Sequence, residues 1–479
     1  MPHLENVDVH ALAPQRFREV IPADRYDKFA EAFARAHTLL EGRVVWNVNS
    51  TAKGGGVAEM LQSLLAYAKG AGVDARWVVI EGDPDFFSIT KRIHNHLHGA
   101  GGDKGELGDR EHSAYEHTLE ANGTALLEEV KSGDVVLLHD PQTAGLTRVL
   151  KEAGAVVIWR CHVGLDMPNE LARGAWRFLT PYITEADAYV FSREAFQWEG
   201  LQENKMNIIP PSIDAFAPKN QEMNRATVDA ILTATELIEG DRSARPTFQK
   251  VDGSEGTVSR KTQLFDLPPL QAGARVVTQV SRWDRLKDPL GVMHGFAKHV
   301  PASSEAHLIL AGPSVEAVAD DPEGAEVLAE THSAWQQLPA ASRERIHLVC
   351  LPMEDGAENA AIVNALQRRA EIVVQKSIAE GFGLTVAEAM WKGRPVVASR
   401  IGGIQDQIED GVTGSLIEDP HDLAEYGAAL VGLLEDQSGA ATMGKAAQER
   451  VRDAFLGPRH LMQYIDLIGK LIAGEQQQQ

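Results

Sequence analysis

The 479-residue chain carries 46 Lys and Arg against 68 Asp and Glu, a net charge of −22, and its length suits about three domains of ~150 residues or two larger ones. With 44% apolar and 24% charged residues it has the balance of a soluble globular protein with full cores, which excludes a collagen, a disordered chain and a disulfide scaffold. Its acidity, with a pI near 5.2, argues against nucleic acid or an anionic membrane as partner, since both repel negative charge, while leaving room for a local basic pocket around a small anion.

Residues 1–15 include Glu5 and Asp8 and lack an apolar core, so no signal peptide is expected; nor does any apolar run approach the ~18 residues of a membrane span. Short Val- and Ile-rich strands then alternate with amphipathic helical stretches. Strands are expected at 43–49 (RVVWNVN), 76–81, 134–140 (DVVLLHD), 155–162 (AVVIWRCH), 188–192 and 206–211, with a Gly-rich turn at 53–56 opening a helix through Lys69. Such near-continuous apolar strands separated by helices signify a parallel sheet covered on both faces. The two cysteines, Cys161 and Cys350, give no disulfide framework and suit a reducing, cytoplasmic setting.

Residues 212–271 break the pattern. Positions 224–239 read as a helix, and 240–267 as a polar interdomain excursion with few large apolar residues. The strand–helix alternation then resumes, with strands expected at 275–282 (RVVTQVSR), 306–312, 346–351, 371–377 (EIVVQKS) and 394–400 (RPVVASR). Residues 459–472 form an amphipathic helix before a polar Gln tail at 476–479. The expected fold class is α/β, with two Rossmann-like, doubly wound domains facing a cleft. The first covers 1–270 including the excursion, the second 271–456, and a terminal helix and disordered tail 457–479. Ligands of such sheets bind beyond the carboxyl ends of the strands.

Three strand ends carry chemistry. In 376–388 (KSIAEGFGLTVAE) a strand ends, Gly381 and Gly383 flank Phe382, and a helix opens near Leu384. The glycines admit close backbone approach, and unpaired amides at the positive helix end suit a diphosphate. Glu380 lies at the loop mouth and Glu388 a turn into the helix, where carboxylates would accept sugar hydroxyls. The plainer reading is a capped helix with a solvent-facing Glu. In 281–287 (SRWDRLK), Arg282 ends a strand and Lys287 begins the next helix; two cations here would neutralise a leaving diphosphate, or else are ordinary surface charges. In 49–58 (NSTAKGGGVA), Gly54, Gly55 and Gly56 let backbone amides reach a donor, or simply make a tight turn; the run is neither a Walker loop nor a clean G-x-G-x-x-G. His139, Asp140 and Gln142 follow one strand and His162 ends another, each at the proposed cleft.

Other features point elsewhere. His94, His96 and His98 resemble a metal tract but have no acidic or Cys partner in reach of the pattern. Asp83-Pro84-Asp85 imitates a metal-binding Asp-x-Asp and reads instead as a turn, with Asp83 near the cleft. Cys161 and His162 are strand neighbours pointing to opposite faces, so they make no nucleophile pair. No metal site is expected.

On the Arg282/Lys287 pair, the Glu380 to Glu388 motif and the Gly-rich loop, the chain from about Gly42 onward resembles the retaining GT-B glycosyltransferases of family 4, which include sucrose synthase and bacterial glycogen synthases. The stretches VNSTAKGGGVAEML, RWVVIEGDPDFFSITKRIHN, LLHDPQ, WRCHVGLD, IIPPSID, TQVSRWDRLKDP, DDPEG and EGFGLTVAEAMWKGRPV resemble its trehalose glycosyltransferring synthases, with fungal-type trehalose phosphorylase nearby. The resemblance implies transfer of glucose from a nucleoside-diphosphate glucose to free glucose, giving α,α-trehalose. It implies Arg282 and Lys287 on the diphosphate, with the amides of Gly383, Leu384 and Thr385. It implies Glu380 on donor glucose, Glu388 on the ribose, residues 351–354 at the base, and Gly55, Gly56, Gly381 and Phe382 lining the donor. Asn49, Asp140, Gln142 and His162 fall to the acceptor side, with His162, Arg282, Lys287 and Glu380 at the reacting centre. It further implies front-face attack, domain closure, a last helix crossing back to the first domain, a homodimer and no tightly bound cofactor, with free Mg²⁺ assisting the diphosphate. Two departures stand out: 240–267 exceeds the usual connection, and the usual Gly-Gly-x-x-Glu is Gly402-Gly403-Ile404-Gln405-Asp406. Phosphorolysis of trehalose, a sugar-phosphate acceptor, and a sugar-binding protein without catalysis are the alternatives.

Overall fold

A computed structural model describes residues 4–52, 55–241, 243–315 and 322–476. The chain divides into two compact units, Met1–Ser212 with Phe455–Gln479, and Ile213–Ala454. Each is a mixed α/β layer structure around a seven-stranded, mainly parallel sheet.

In the first unit the strands are β1 (Glu5–Val7), β2 (Val45–Asn49), β3 (Ala75–Val79), β4 (Val135–His139), β5 (Val156–Cys161), β6 (Ala188–Phe191) and β7 (Met206–Ile208), in the order β1-β3-β2-β4-β5-β6-β7. Only β1, antiparallel to β3, departs from parallel pairing. β2, β4 and β5 are buried at every position, as both faces are covered. Trp46, Val48, Val136, Leu138 and Trp159 pack on helices Pro84–Leu97, Asp109–Leu127 and Glu170–Ile183. Val45, Leu137 and Ile158 face helices Ala23–Leu39, Gly55–Gly70 and the last helix, Gly457–Gln476, which contributes Leu467, Ile468 and Ile472.

The second unit holds the hairpin β8 (Thr247–Gln249) and β9 (Glu255–Thr257), then β10 (Gln263–Leu264), β11 (Arg275–Val280), β12 (Ala306–Pro313), β13 (Ile346–Leu351), β14 (Ile372–Gln375), β15 (Val396–Ser399) and β16 (Ser415–Ile417). Its sheet runs β10-β13-β12-β11-β14-β15-β16, with only β10 antiparallel. Strand order reverses between β2 and β4 in one sheet and between β11 and β14 in the other. These switch points open the crevices in which doubly wound sheets take ligands.

The expected boundary near 270 is corrected: residues 213–270 cluster with the second unit. Their polar composition conceals specific attachments. Asn364 donates to the carbonyls of Pro218 (3.0 Å) and Gln221 (2.9 Å), and Arg368 pairs with Glu222. The buried Glu358 carboxylate accepts from the amides of Ser259 and Arg260. The expected helix is shorter, Arg225–Ala234, with Asn224 capping Thr227 N at 2.9 Å. Gln476 ends the last helix, and residues 477–479 of the expected tail lie outside the described residues. Among the described residues no helix is long and apolar enough to cross a membrane.

Candidate active site

At the β11/β14 switch point of the second unit, Lys287 and Glu380 form an ion pair through Nζ and Oε2, both largely buried. Ser377 Oγ donates to the same carboxylate oxygen at 3.4 Å. Lys287 stands at the end of a single turn, Arg285–Lys287, secured by Asp284, which accepts from Leu286 N at 2.8 Å, and by Gln279, which donates to the Lys287 carbonyl at 2.9 Å. Arg282 reaches Asp284 at 2.7 Å and keeps 63% of its side chain exposed.

The glycine loop is built by close packing. Gly383, at φ 82°, precedes helix Leu384–Trp391, whose N-terminus has no side-chain cap. Leu384 and Thr385 are thus first-turn residues at the positive end of a helix dipole. Gly403 N donates to Gly381 O at 2.8 Å, and a Cβ on Gly402 would lie 1.9 Å from Glu380 O. Gln407, fully buried, donates to Phe382 O at 2.5 Å and braces the loop from below. The Gly402-Gly403 pair therefore serves packing against Glu380–Phe382, and Gln407, one residue beyond the altered acidic position, supplies the brace. Glu388 is buried on the helix, 3.6 Å from Lys219, which precedes helix Arg225–Ala234. Met353, in the stretch assigned to the base, is exposed.

In the first unit, the ends of β2, β4 and β5 bring Asn47, His139, Asp140, Arg160 and His162 together. Asp140 sits at φ 62°, a costly conformation for a non-glycine residue, and its carboxylate accepts from His162 N at 2.7 Å. Burial pushes Asp140 up to about 6 against the opposing pull of that amide and of Arg160. The His162 ring stacks on His139 with centroids 5.4 Å apart, His139 Nδ1 lies 3.1 Å from His162 Nε2, and Arg160 Nε donates to His162 Nδ1 at 3.5 Å. Burial, aided by Arg160, holds both imidazoles below their usual range, His139 at about 3. Asn49 Oδ1 accepts from Trp77 Nε1 at 2.8 Å, and Gln142 lies half-buried in the turn Asp140–Thr143. Gly55, at φ 78°, and Gly56 open helix Gly55–Gly70; Lys53 and Gly54 lie outside the described residues.

Asn47, Lys219 and Gln407 are not singled out by sequence, and Arg160 only as a polar residue at the end of the 155–162 strand. Each is polar inside a region of apolar pattern or linker composition, a signal that marks a site only once its partners are known. Asp83 caps helix Pro84–Leu97 by accepting from Phe86 N at 2.8 Å. Cys161 is buried, its thiol pushed up by burial and donating to Val163 O at 3.1 Å. His94 and His98 stack edge-on with centroids 4.9 Å apart, and among the described residues no three His, Cys, Asp or Glu group as a metal ion requires.

Two switch-point sheets, one ending in a cation–carboxylate pair beside an uncapped helix, define a GT-B glycosyltransferase. A family model described as the N-terminal domain of trehalose synthase matches residues 47–198, and one for group 1 glycosyl transferases matches 262–450. Trehalose synthase of Thermococcus litoralis is 34% identical over 94% of this chain and 95% of its own. Trehalose phosphorylase of Grifola frondosa is 25% identical over 85% of this chain but 54% of its own. The crystal structure of a UDP-forming α,α-trehalose-phosphate synthase from Burkholderia vietnamiensis shares the fold, with a TM-score of 0.64 at 13% identity, covering 90% of this chain and 98% of that one. The chain belongs to the trehalose synthase family of glycosyltransferases.

Proposed function

We propose that the protein transfers glucose, with retention, from a nucleoside-diphosphate glucose to free glucose, giving α,α-trehalose and the nucleoside diphosphate. The observation that carries this reading is the Lys287–Glu380 pair beside the uncapped start of Leu384–Trp391, in a chain of this family. The donor diphosphate would bind the Leu384 and Thr385 amides with Lys287 and Arg282. Glu380 would then take donor glucose hydroxyls and Glu388 the ribose, with Gly55 and Gly56 closing on the donor.

As the C1–O bond breaks, its electron pair passes to the phosphate oxygen, where the two cations stabilise the charge. The acceptor's anomeric oxygen forms the new C1–O bond on the same face, and its proton passes to the departing phosphate oxygen. Asp140, with Asn49 and Gln142, would orient the acceptor. Both ring nitrogens of His162 are engaged within the unit, so His162 would meet sugar through its main chain rather than as an acid or base. No tightly bound cofactor belongs to this proposal; Mg²⁺ in solution would assist the diphosphate, and the working form would be a homodimer.

Incubation with ADP-, UDP- or GDP-glucose and glucose, with and without Mg²⁺, tests the reading. A non-reducing disaccharide with both anomeric carbons α is expected. No product from any donor, with glucose 1-phosphate released from trehalose and phosphate, would establish phosphorolysis instead.

A further inference from the structure

Arg160 is fully buried, yet its hydrogen bonds go to neutral groups: the carbonyls of Ile209 (2.7 Å) and Phe191 (3.3 Å), Ser192 Oγ (3.2 Å) and His162 Nδ1 (3.5 Å). A buried cation without a hydrogen-bonded carboxylate is costly, so its retention calls for a cause. Its geometry supplies one. His139 pairs with Arg160 in the β4–β5 register, and Asn47 lies on the same face of neighbouring β2, which places a polar row across three strand ends. His139 Nε2 lies 3.0 Å from Asn47 Oδ1.

The row has one consistent direction. A guanidinium only donates, so His162 Nδ1 accepts and carries no proton. The proton of neutral His162 is then on Nε2, which donates to His139 Nδ1. His139 in turn holds its proton on Nε2 and donates to the Asn47 carbonyl oxygen. A proton on His162 Nδ1 would meet the Arg160 N–H, and one on His139 Nδ1 would meet the His162 N–H.

We infer that Arg160, His139 and Asn47 form a directional hydrogen-bond relay that fixes His162 as one neutral tautomer, its ring drawn inward and its main chain held toward Asp140. Arg160 and His139 are thus positioning residues for the proposed reaction. The relay matters for turnover only under that reading, whereas the tautomer does not depend on it.

The test is ¹⁵N NMR of the full-length protein with labelled histidine rings, assigned through His139→Gln and His162→Gln. Both rings are expected neutral and protonated on Nε2 at pH 7, and Arg160→Met is expected to release His162 into a tautomer mixture while lowering kcat at least about tenfold, the scale of one lost orienting interaction. If Arg160→Met fails to fold, Asn47→Asp serves: a carboxylate there should let His139 titrate near neutral pH and should lower kcat by a similar factor. Nδ1–H signals or a charged ring in the unaltered protein would overturn the relay. So would either variant leaving both spectrum and kcat unchanged. Nε2–H signals in a protein that transfers glucose from no donor would uphold the relay and refute the proposed reaction instead.

Discussion

The fully buried ammonium of Lys376 is ion-paired with Asp288, the residue that follows Lys287 and caps helix Pro289–His299. Lys376 also donates to Pro420 O at 2.5 Å, and Asp288 stands at φ 50° while accepting from Gly291 N at 2.9 Å. One buried pair thus anchors the turn that delivers Lys287 to Glu380. Lys376→Met should cost about 3 kcal/mol or more, because it strands a poorly solvated carboxylate, and should weaken donor binding. Lys376→Met combined with Asp288→Asn should recover part of that stability, since Asn still caps and carries no charge. Melting of the single and double variants would show it; strict additivity would refute the coupling.

Arg282 and Lys287 should separate in stability though not in turnover. Either Ala substitution is expected to lower kcat at least about 100-fold, the scale of losing one charge-stabilising donor. Lys287→Ala also leaves Glu380 without its ion pair and should lower Tm, whereas the ion pair of Arg282, itself 63% exposed, is screened by solvent and its loss should lower Tm less. Near-normal turnover in both variants would remove them from the mechanism.

Asp140→Asn should stabilise the protein in a pH-dependent way. Because the folded carboxyl is held up at about 6, the native state binds more protons than the unfolded chain between about pH 4 and 6. The native protein therefore loses stability as pH rises through that window, and the loss is complete above it. The Asn variant, compatible with the positive φ, escapes this loss. Its Tm advantage is expected to be a few degrees at pH 8 and to shrink toward pH 4, with turnover reduced. A pH-independent difference would count against the raised carboxyl.

Gly402→Ala and Gly411→Ala separate crowding from backbone strain. Both glycines have positive φ, 46° and 74°, but a Cβ at Gly402 meets Glu380 O at 1.9 Å whereas one at Gly411 meets nothing within 4 Å. Gly411→Ala should cost about 1–2 kcal/mol and leave donor KM unchanged. Gly402→Ala should displace the Glu380 loop and raise donor KM about tenfold or more. Equal donor KM in the two variants would separate the Gly402 contact from the site.

The central strands and the Lys287 and Glu380 loops are legible because each is local: an apolar run, then a turn, then a helix start; strand order, and with it the two switch points, is not local. The short edge strands β1, β10 and β16 carry little apolar pattern. The stretch 213–270 misled for a different reason, since its hold on the second unit runs through single polar side chains such as Glu358 and Asn364, whose own helix looks ordinary in sequence. Asn47, Lys376 and Gln407 escaped notice because a buried polar residue gains meaning from partners far along the chain. Lys376 reaches Asp288, and Asn47 reaches His139, 92 positions on.

Gly457–Gln476 belongs to the unit that begins at the opposite end of the chain, so the second unit is, in folding terms, an insertion. Arg459 donates to the carbonyls of Pro210 (2.7 Å) and Pro211 (2.8 Å), and Arg35 meets Asp466 across 431 positions. During synthesis the inserted unit can close on itself while its host still lacks the helix that covers Leu137 and Ile158. Until that helix is made, this face of the β2–β7 sheet is covered only in part, by helices Ala23–Leu39 and Gly55–Gly70. A nascent chain stalled before Phe455 should therefore bind chaperones through that face. The insertion itself, once folded, shortens the loop that the last helix must close.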